Sequence, residues 1–497
     1  MSDVYFSAVP LYAVLVSLAA IPLILFSSRK PNLRESWTLL AGIIKFGLVL
    51  SLLPQALLGK SALFQSFEIF PSVSFSLRAD PLGVFFALVA SGLWILTSVY
   101  SMGYMRGMGS HKQTRYFSYF ALCLSATIGI AFAGNLMTFI LFYEILTIAT
   151  YPLVIHNETK KAIYAGRKYL AYTLTAGVFL IAAAVWTYHL KGDLEFANGG
   201  LLQGLSLTAG TVVPLFFLYL AGVGVKASIM PLHSWLPTAM AAPTPVSALL
   251  HAVAVVKSGV FGVIRIVMFV FGPGLMKKFG LDVILMTFAA VTIILGSLMA
   301  LKQDNLKKRL AYSTVAHLSY IVLGAGLVGS AALVGGLLHI AFHATMKITL
   351  FFCAGAIYVN LKRENISDLN GIGKVMPWTM GAFAIGSIGL AGIPPVNGFI
   401  SKWYLGSGAV ESGHVILLIV LVISGILNAA YFFPIVQRAF FRRGRDLKEY
   451  GEASPLLVVP LLVTALLSIL FGLYPDLFFK FFRLAVEVAT GVFGGLG

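Results

Sequence analysis

Residues 222–257 read GVGVKASIMPLHSWLPTAMAAPTPVSALLHAVAVVK, an apolar stretch with Lys226 near one end, Lys257 at the other, and Pro231, Pro237, Pro243 and Pro245 between them. Proline removes a backbone donor and clashes with the preceding turn. Such a break survives in a bilayer only where protein or a wet cavity surrounds it, so the stretch reads as a broken membrane helix with a charge beside its break. A second stretch repeats the pattern: Leu390-Ala-Gly-Ile-Pro394-Pro395-Val-Asn-Gly398-Phe-Ile-Ser-Lys402.

Outward from these two, apolar runs of about 20 residues, each long enough for a ~30 Å hydrocarbon core, recur along the 497-residue chain. The expectation is an all-α polytopic membrane protein with about 14 transmembrane helices, the broken ones being the seventh and twelfth. The composition agrees, with 59% hydrophobic and 11% charged residues against about 25% charge in soluble domains. The two breaks lie five runs apart, and interrupted segments at corresponding places point to inverted repeats. The expected organisation is an N-terminal group of three helices (1–115), a first repeat of helices 4 to 8 (116–270), a second of helices 9 to 13 (282–442), and a C-terminal fourteenth helix (455–497). The first run lacks a basic leader and meets Ser27-Ser-Arg-Lys at once, which suits a first span rather than a cleaved signal peptide.

The net charge of +17 is distributed as topology rather than as a nucleic-acid surface. Alternate loops hold 22 of the basic residues on one side, among them Arg29, Lys161, Lys307, Arg363, Arg445 and Lys448, against 8 on the other, among them Arg78, Lys191 and Arg265. This positive-inside pattern predicts an even helix count in a prokaryotic cytoplasmic membrane with both termini external.

Five lysines remain inside the runs: Lys45, Lys226, Lys257, Lys347 and Lys402. Each costs about 2.5 to 3.5 kcal/mol at the bilayer centre, so a group of them implies a polar route or relay. Lys45, near the start of its apolar run, is expected to snorkel to the interface. One acid, Glu144, sits well within a run. Burial disfavours the charged form of either group, and a close pair restores both. His339, His343 and Lys347 follow i, i+4, i+8 spacing and form one polar stripe. His251 shares a run with Lys257, and His317 lies in another; both read as supporting polar groups. No carboxylate or thiol is spaced to make a metal site with these histidines. The two cysteines, Cys123 and Cys353, are too few for an iron–sulfur cluster, and no cofactor is expected. A solute transporter would present anionic or aromatic contacts at mid-membrane, and an oxidoreductase would present cofactor ligands. A stand-alone transporter, or a redox or structural subunit with no ion path, is therefore the alternative to ion translocation.

At these residues the chain resembles the antiporter-like subunits shared by Mrp cation/proton antiporters, respiratory complex I and membrane-bound hydrogenases. The matching segments are Asp80-Pro-Leu-Gly, Tyr143-Glu144, Gly166-Arg-Lys-Tyr-Leu, the run from Lys226 to Gly259, Leu310-Ala-Tyr-Ser-Thr-Val-Ala-His, His343-Ala-Thr-Met-Lys347 and Gly392-Ile-Pro-Pro-Val-Asn-Gly-Phe. The resemblance implies two inverted five-helix bundles, each with a half-channel. It also implies Glu144 paired with Lys226, Lys257 as central relay, His343 and Lys347 extending the axis, and Lys402 near the exit, where some complex I members have glutamate. The largest members carry a long lateral C-terminal helix; this chain looks like the shorter antiporter-like subunits, in Mrp as in the complex I relatives. Implied partners are other antiporter-like and small membrane subunits, with or without a redox arm. Protons are the favoured ion because no acidic cluster offers sodium a dedicated site, while sodium stays open through the backbone carbonyls at the broken helices.

Overall fold

A computed structural model describes residues 4–444 and 450–494. Arg445 and Lys448, two of the inner-side cations, lie outside the described residues. The chain opens with strand β1 (Val4–Phe6) and helices α1 (Val9–Phe26) and α2 (Pro31–Ala56). A hairpin of β2 (Ser61–Phe70) and β3 (Val73–Ala79) follows, then α3 (Pro81–Gly107), α4 (Gln113–Ala131), α5 (Leu136–Val154) and α6 (Lys160–Lys191). The first broken region holds α7 (Ala209–Lys226), α8 (Trp235–Thr238), α9 (Thr244–Ala252), α10 (Val255–Ile264), a π-helical segment (Arg265–Phe271) and α11 (Gly272–Lys278). Next come α12 (Leu281–Leu301), α13 (Leu306–Gly326), α14 (Ser330–Leu361) and α15 (Ile372–Val375). The second broken region is α16 (Pro377–Ala391) and α17 (Gly398–Glu411), and the chain continues with α18 (Val415–Phe441), α19 (Pro455–Leu473) and α20 (Phe481–Phe493).

Helix starts follow local chemistry. Asp80, Asn135, Thr159 and Asn305 each accept a hydrogen bond from the backbone N–H three residues on, capping α3, α5, α6 and α13 and satisfying a donor the helix cannot. Eleven helical stretches among the described residues are long and apolar enough to cross a membrane. They differ in what surrounds them. In α14 every residue from Ala332 to Ile357 is buried, and α13, α16, α17, α19 and α9 pack against it. In α6 and α18, by contrast, apolar side chains such as Val178, Val185, Ile419 and Ile426 point outward. A soluble protein hides such faces; a bilayer solvates them.

The structure departs from the sequence expectations at five places. A three-stranded sheet joins β1, β2 and β3, parallel then antiparallel, where the apolar/polar alternation of Val73-Ser-Phe-Ser-Leu suits a strand. The run holding Lys257 is not one helix: α9 gives way to α10 at Val253 and Ala254, whose N–H groups both donate to the carbonyl of Leu249, and the π segment follows. Lys45 does not snorkel. Its helix begins at Pro31, well before the apolar run, so the residue falls at mid-helix, too deep for its stem to reach an interface, and it is wholly buried. Arg265, counted with the outer-loop cations, is also buried, its guanidinium bidentate to Asp80 at 2.5 and 2.7 Å. The last span ends at Leu473, and a separate helix, α20, packs back on α3 and α14.

Candidate functional site: a buried polar axis

Both breaks leave backbone groups that must be satisfied inside the protein. At the first, Trp235 Nε1 donates to the carbonyl of Val225 at 2.8 Å and the Met230 N–H to Thr292 Oγ1 at 3.1 Å. At the second, Lys402 Nζ donates to the carbonyls of Leu390 and Ala391 at 2.7 and 3.0 Å. Lys402 therefore caps the C-terminal, partially negative end of α16, where a cation is favoured. A cis peptide bond precedes Pro231 and another joins Pro394 to Pro395. Pro237 lies in α8, buried. The two lysines are placed oppositely: Lys226 ends the half-helix before its break, whereas Lys402 lies in the half-helix after it.

Lys226 is fully buried and donates to the carbonyl of Tyr143 at 2.5 Å, its ammonium 3.3 Å from the centre of the Tyr143 ring. Glu144 is the next residue on α5, near enough to Lys226 for the two charges to act on one another. The direct ion pair is not closed, and Glu144 Oε1 has no hydrogen-bond partner. Its carboxylate lies on α6 at Gly177, where a Cβ would stand 2.5 Å from Oε1, so glycine there makes its room. The end of α7 meets α10 at Gly259; a Cβ at that position would fall 2.2 Å from the backbone nitrogen of Ala227. This close approach sets Lys226 beside the helix that carries Lys257.

Lys257 Nζ lies 3.0 Å from His343 Nδ1. The His343 ring stacks on His317 of α13 with centroids 5.3 Å apart, and His317 Nδ1 is 3.1 Å from His339 Nε2. From there the network forks. His339 Nδ1 is 2.9 Å from Ser401 Oγ, the neighbour of Lys402. His317 Nε2 is 2.9 Å from Asn428 Oδ1, which also accepts from the Tyr431 hydroxyl. Tyr431 continues to Ser313 at 3.0 Å, and Lys347 donates to the same Ser313 hydroxyl at 2.9 Å.

The structure thus brings Lys257, His343, His317, His339 and Lys347 into one cluster from α10, α13 and α14. His317 is its hub rather than a side support, while Lys347 turns off the expected stripe toward α13. His251 stands apart: neither ring nitrogen has a partner, and it packs on Phe351. Lys402 is half-buried at the floor of an apolar lateral groove of about 730 Å³ flanked by Phe399 and Trp403. Glu144, at the other extreme, is also half-buried. The axis is therefore enclosed in its middle and comes to a flank at each end. Ser313, Ser401, Asn428 and Tyr431 were missed from sequence. Asn428, an amide in an otherwise apolar helical run, carried the signal that could have found the others.

A family model described as "NADH:quinone oxidoreductase/Mrp antiporter, TM" matches residues 133–428, which hold every member of this network except Tyr431. The chain belongs to that family. A second model, "NADH-Ubiquinone oxidoreductase (complex I), chain 5 N-terminus", matches residues 69–117. Among relatives, NADH-quinone oxidoreductase subunit N of Desulforudis audaxviator is 34% identical over 75% of this chain and 74% of its own. Hydrogenase-4 component B of Escherichia coli is 32% identical over 81% and 63%, and Na(+)/H(+) antiporter subunit A1 of Staphylococcus haemolyticus 30% over 85% and 55%. The chain thus spans 63% and 55% of the length of the last two. The fold matches a chain of the Mrp complex from Dietzia with TM-score 0.87 at 20% identity, covering 98% of this chain and 97% of the other. It also matches a chain of the membrane-bound sulfane sulfur reductase, an archaeal respiratory complex, at TM-score 0.87 and 24% identity, with 98% of each covered. This antiporter-like subunit is accordingly an integral, multi-pass membrane protein whose fold is used inside multisubunit complexes.

Proposed function

We propose that the axis carries protons, one at a time, from Lys257 through His343, His317 and His339 toward Ser401 and Lys402, with Lys347 as a side reservoir. The observation that supports this most is the 3.0 Å contact between Lys257 and His343. At that distance two positive charges would repel by about 5 kcal/mol at an effective dielectric near 20, so the pair holds a single excess proton. Ring reorientation within the stacked histidines then offers it onward. Groups that each have a neutral and a cationic form suit protons better than sodium, which takes oxygen ligands. Glu144 and Lys226 act as the control. When Glu144 moves further from it, the less screened ammonium drives a proton off the axis; two like charges ~6 Å apart repel by about 2.8 kcal/mol at the same dielectric.

In this reading the subunit has fourteen crossings, ten of them in two inverted five-helix repeats, with α4, α13 and the broken α16–α17 pair adding to the eleven apolar stretches described above. It lies in a prokaryotic cytoplasmic membrane with both termini outside, loads from the cytoplasmic side, and works beside other antiporter-like and small membrane subunits, coupled to sodium or to a redox arm. Both flanking ends of the axis then face partners. The test is proton flux in the reconstituted complex, with Lys257→Ala and Glu144→Ala each expected to reduce it severely. Undiminished flux in both variants would remove the relay.

A further inference from the structure

Beside the first helix break the protein encloses a cavity of about 470 Å³ that the polar axis does not use. Its wall carries five cations, Lys161, Lys168, Lys307, Lys308 and Arg363, against a single acid, Glu364. Among the described residues none of the five is within ion-pair distance of a carboxylate. Lys307 reaches the carbonyl of Ala242 at 2.8 Å and Lys168 the hydroxyl of Thr238 at 3.3 Å, while Arg363 donates to the carbonyl of Asp368. Lys161 and Lys308 have no such partner. The capping residues of two long helices, Thr159 of α6 and Asn305 of α13, line the same space. A helix N-terminus carries partial positive charge and free N–H donors. Two such ends and five basic side chains therefore converge on one pocket in which a lone carboxylate stands against them.

We propose that this cavity binds a phosphate-bearing anion. The shared chemistry is a phosphoryl group, supplied by free phosphate or by the headgroup of an anionic lipid. Basic pockets between helices on the cytoplasmic face suit such headgroups, and Tyr164, largely exposed at the rim, is an aromatic of the kind that sits at headgroup level. Through Lys168 and Lys307 the occupied site also grips residues 238–242, the connection between α8 and α9. Its cytoplasmic placement rests on the topology proposed above, whereas its test reads binding, whatever the ion path carries.

The experiment uses the full chain in its purified complex. One arm measures equilibrium binding of radiolabelled inorganic phosphate in detergent free of anionic lipid. The other measures retention of phosphatidylglycerol by native mass spectrometry after exchange through phosphatidylcholine nanodiscs. Wild type retains at least one probe, phosphate if the ligand is free, phosphatidylglycerol alone if it is a headgroup. The Lys161→Gln/Lys308→Gln/Arg363→Gln variant loses roughly a hundredfold in affinity, about a factor of five per basic residue. Lys161→Arg/Lys308→Arg keeps the charge and keeps binding. Failure of wild type to bind either probe overturns the site, as does equal binding by wild type and the triple variant. If that variant does not assemble, the single reversal Lys308→Glu takes its place, and undiminished binding there has the same meaning.

Discussion

His343 and His251 are both buried histidines on the apolar core, yet only one of them is wired. His343 faces Lys257 across 3.0 Å and stacks on His317, whereas His251 has no hydrogen-bond partner and rests on Phe351. Replacing His343 by alanine is therefore expected to cut proton flux by on the order of a hundredfold, the lower end of what a positioned proton carrier contributes. His251→Ala is expected to keep flux near wild type, and equal losses in the two variants would dissolve the distinction. Outside the membrane, Glu158 in the turn between α5 and α6 accepts hydrogen bonds from Lys112 and Arg115, which lower its pKa from 4.5 to about 2. A carboxylate held low in the folded state stabilises it above the unfolded value and loses that contribution as pH falls. Between pH 4.5 and about 2 the thermal midpoint of wild type is expected to drop more than that of Glu158→Gln. Parallel curves would count against the cluster. The lysines and histidines of the axis were legible in the sequence because charge in an apolar run is conspicuous. Ser313 and Ser401 were not, since serine hydroxyls within helices commonly bond their own backbone and give no sign of a longer-range partner.

Among elements, the ion pair of Asp80 and Arg265 joins the N-terminus of α3 to the π segment that continues α10. Both side chains are largely removed from solvent, and Arg265 is also flanked by Phe196, Phe261 and Phe269. Removing one partner of a buried pair leaves the other charge uncompensated, at a cost of roughly 3–5 kcal/mol, while removing both is often nearly neutral. Arg265→Met is thus expected to lower the unfolding midpoint in detergent sharply, and Asp80→Asn/Arg265→Met to recover most of the loss; additive losses would argue against a clamp. The two proline breaks could be read from the sequence because proline marks its own site. The step from α9 to α10 could not, since Val253 and Ala254 have no intrinsic preference for a break. It is produced by packing, with α10 held against the end of α7 at Gly259. Arg265 was misplaced for a related reason: its partner, Asp80, is far away in sequence, and only the fold reveals that the charge is matched.

At the scale of the whole molecule, the contrast between the fully buried α14 and the outward apolar faces of α6 and α18 separates a protein interior from a surrounding that is itself apolar. Composition had already declared that much. It could not say which flank meets lipid and which meets protein. In the proposed assembly, the half-buried positions of Glu144 and Lys402 put partners on the flanks near Ile148 of α5 and Trp403 of α17, both exposed. A photo-crosslinker placed at either position in native membranes is expected to capture another subunit, and lipid adducts alone at both would remove flanking partners from the proposal.

The line from Lys257 to Lys402 contains no carboxylate among its described members. A loaded axis consequently has no local counter-ion, and its first passenger excludes a second. Under the proposed relay, traffic along it is a single-file queue of one, so that throughput is governed by how fast the far end empties and not by how steeply the near end is supplied.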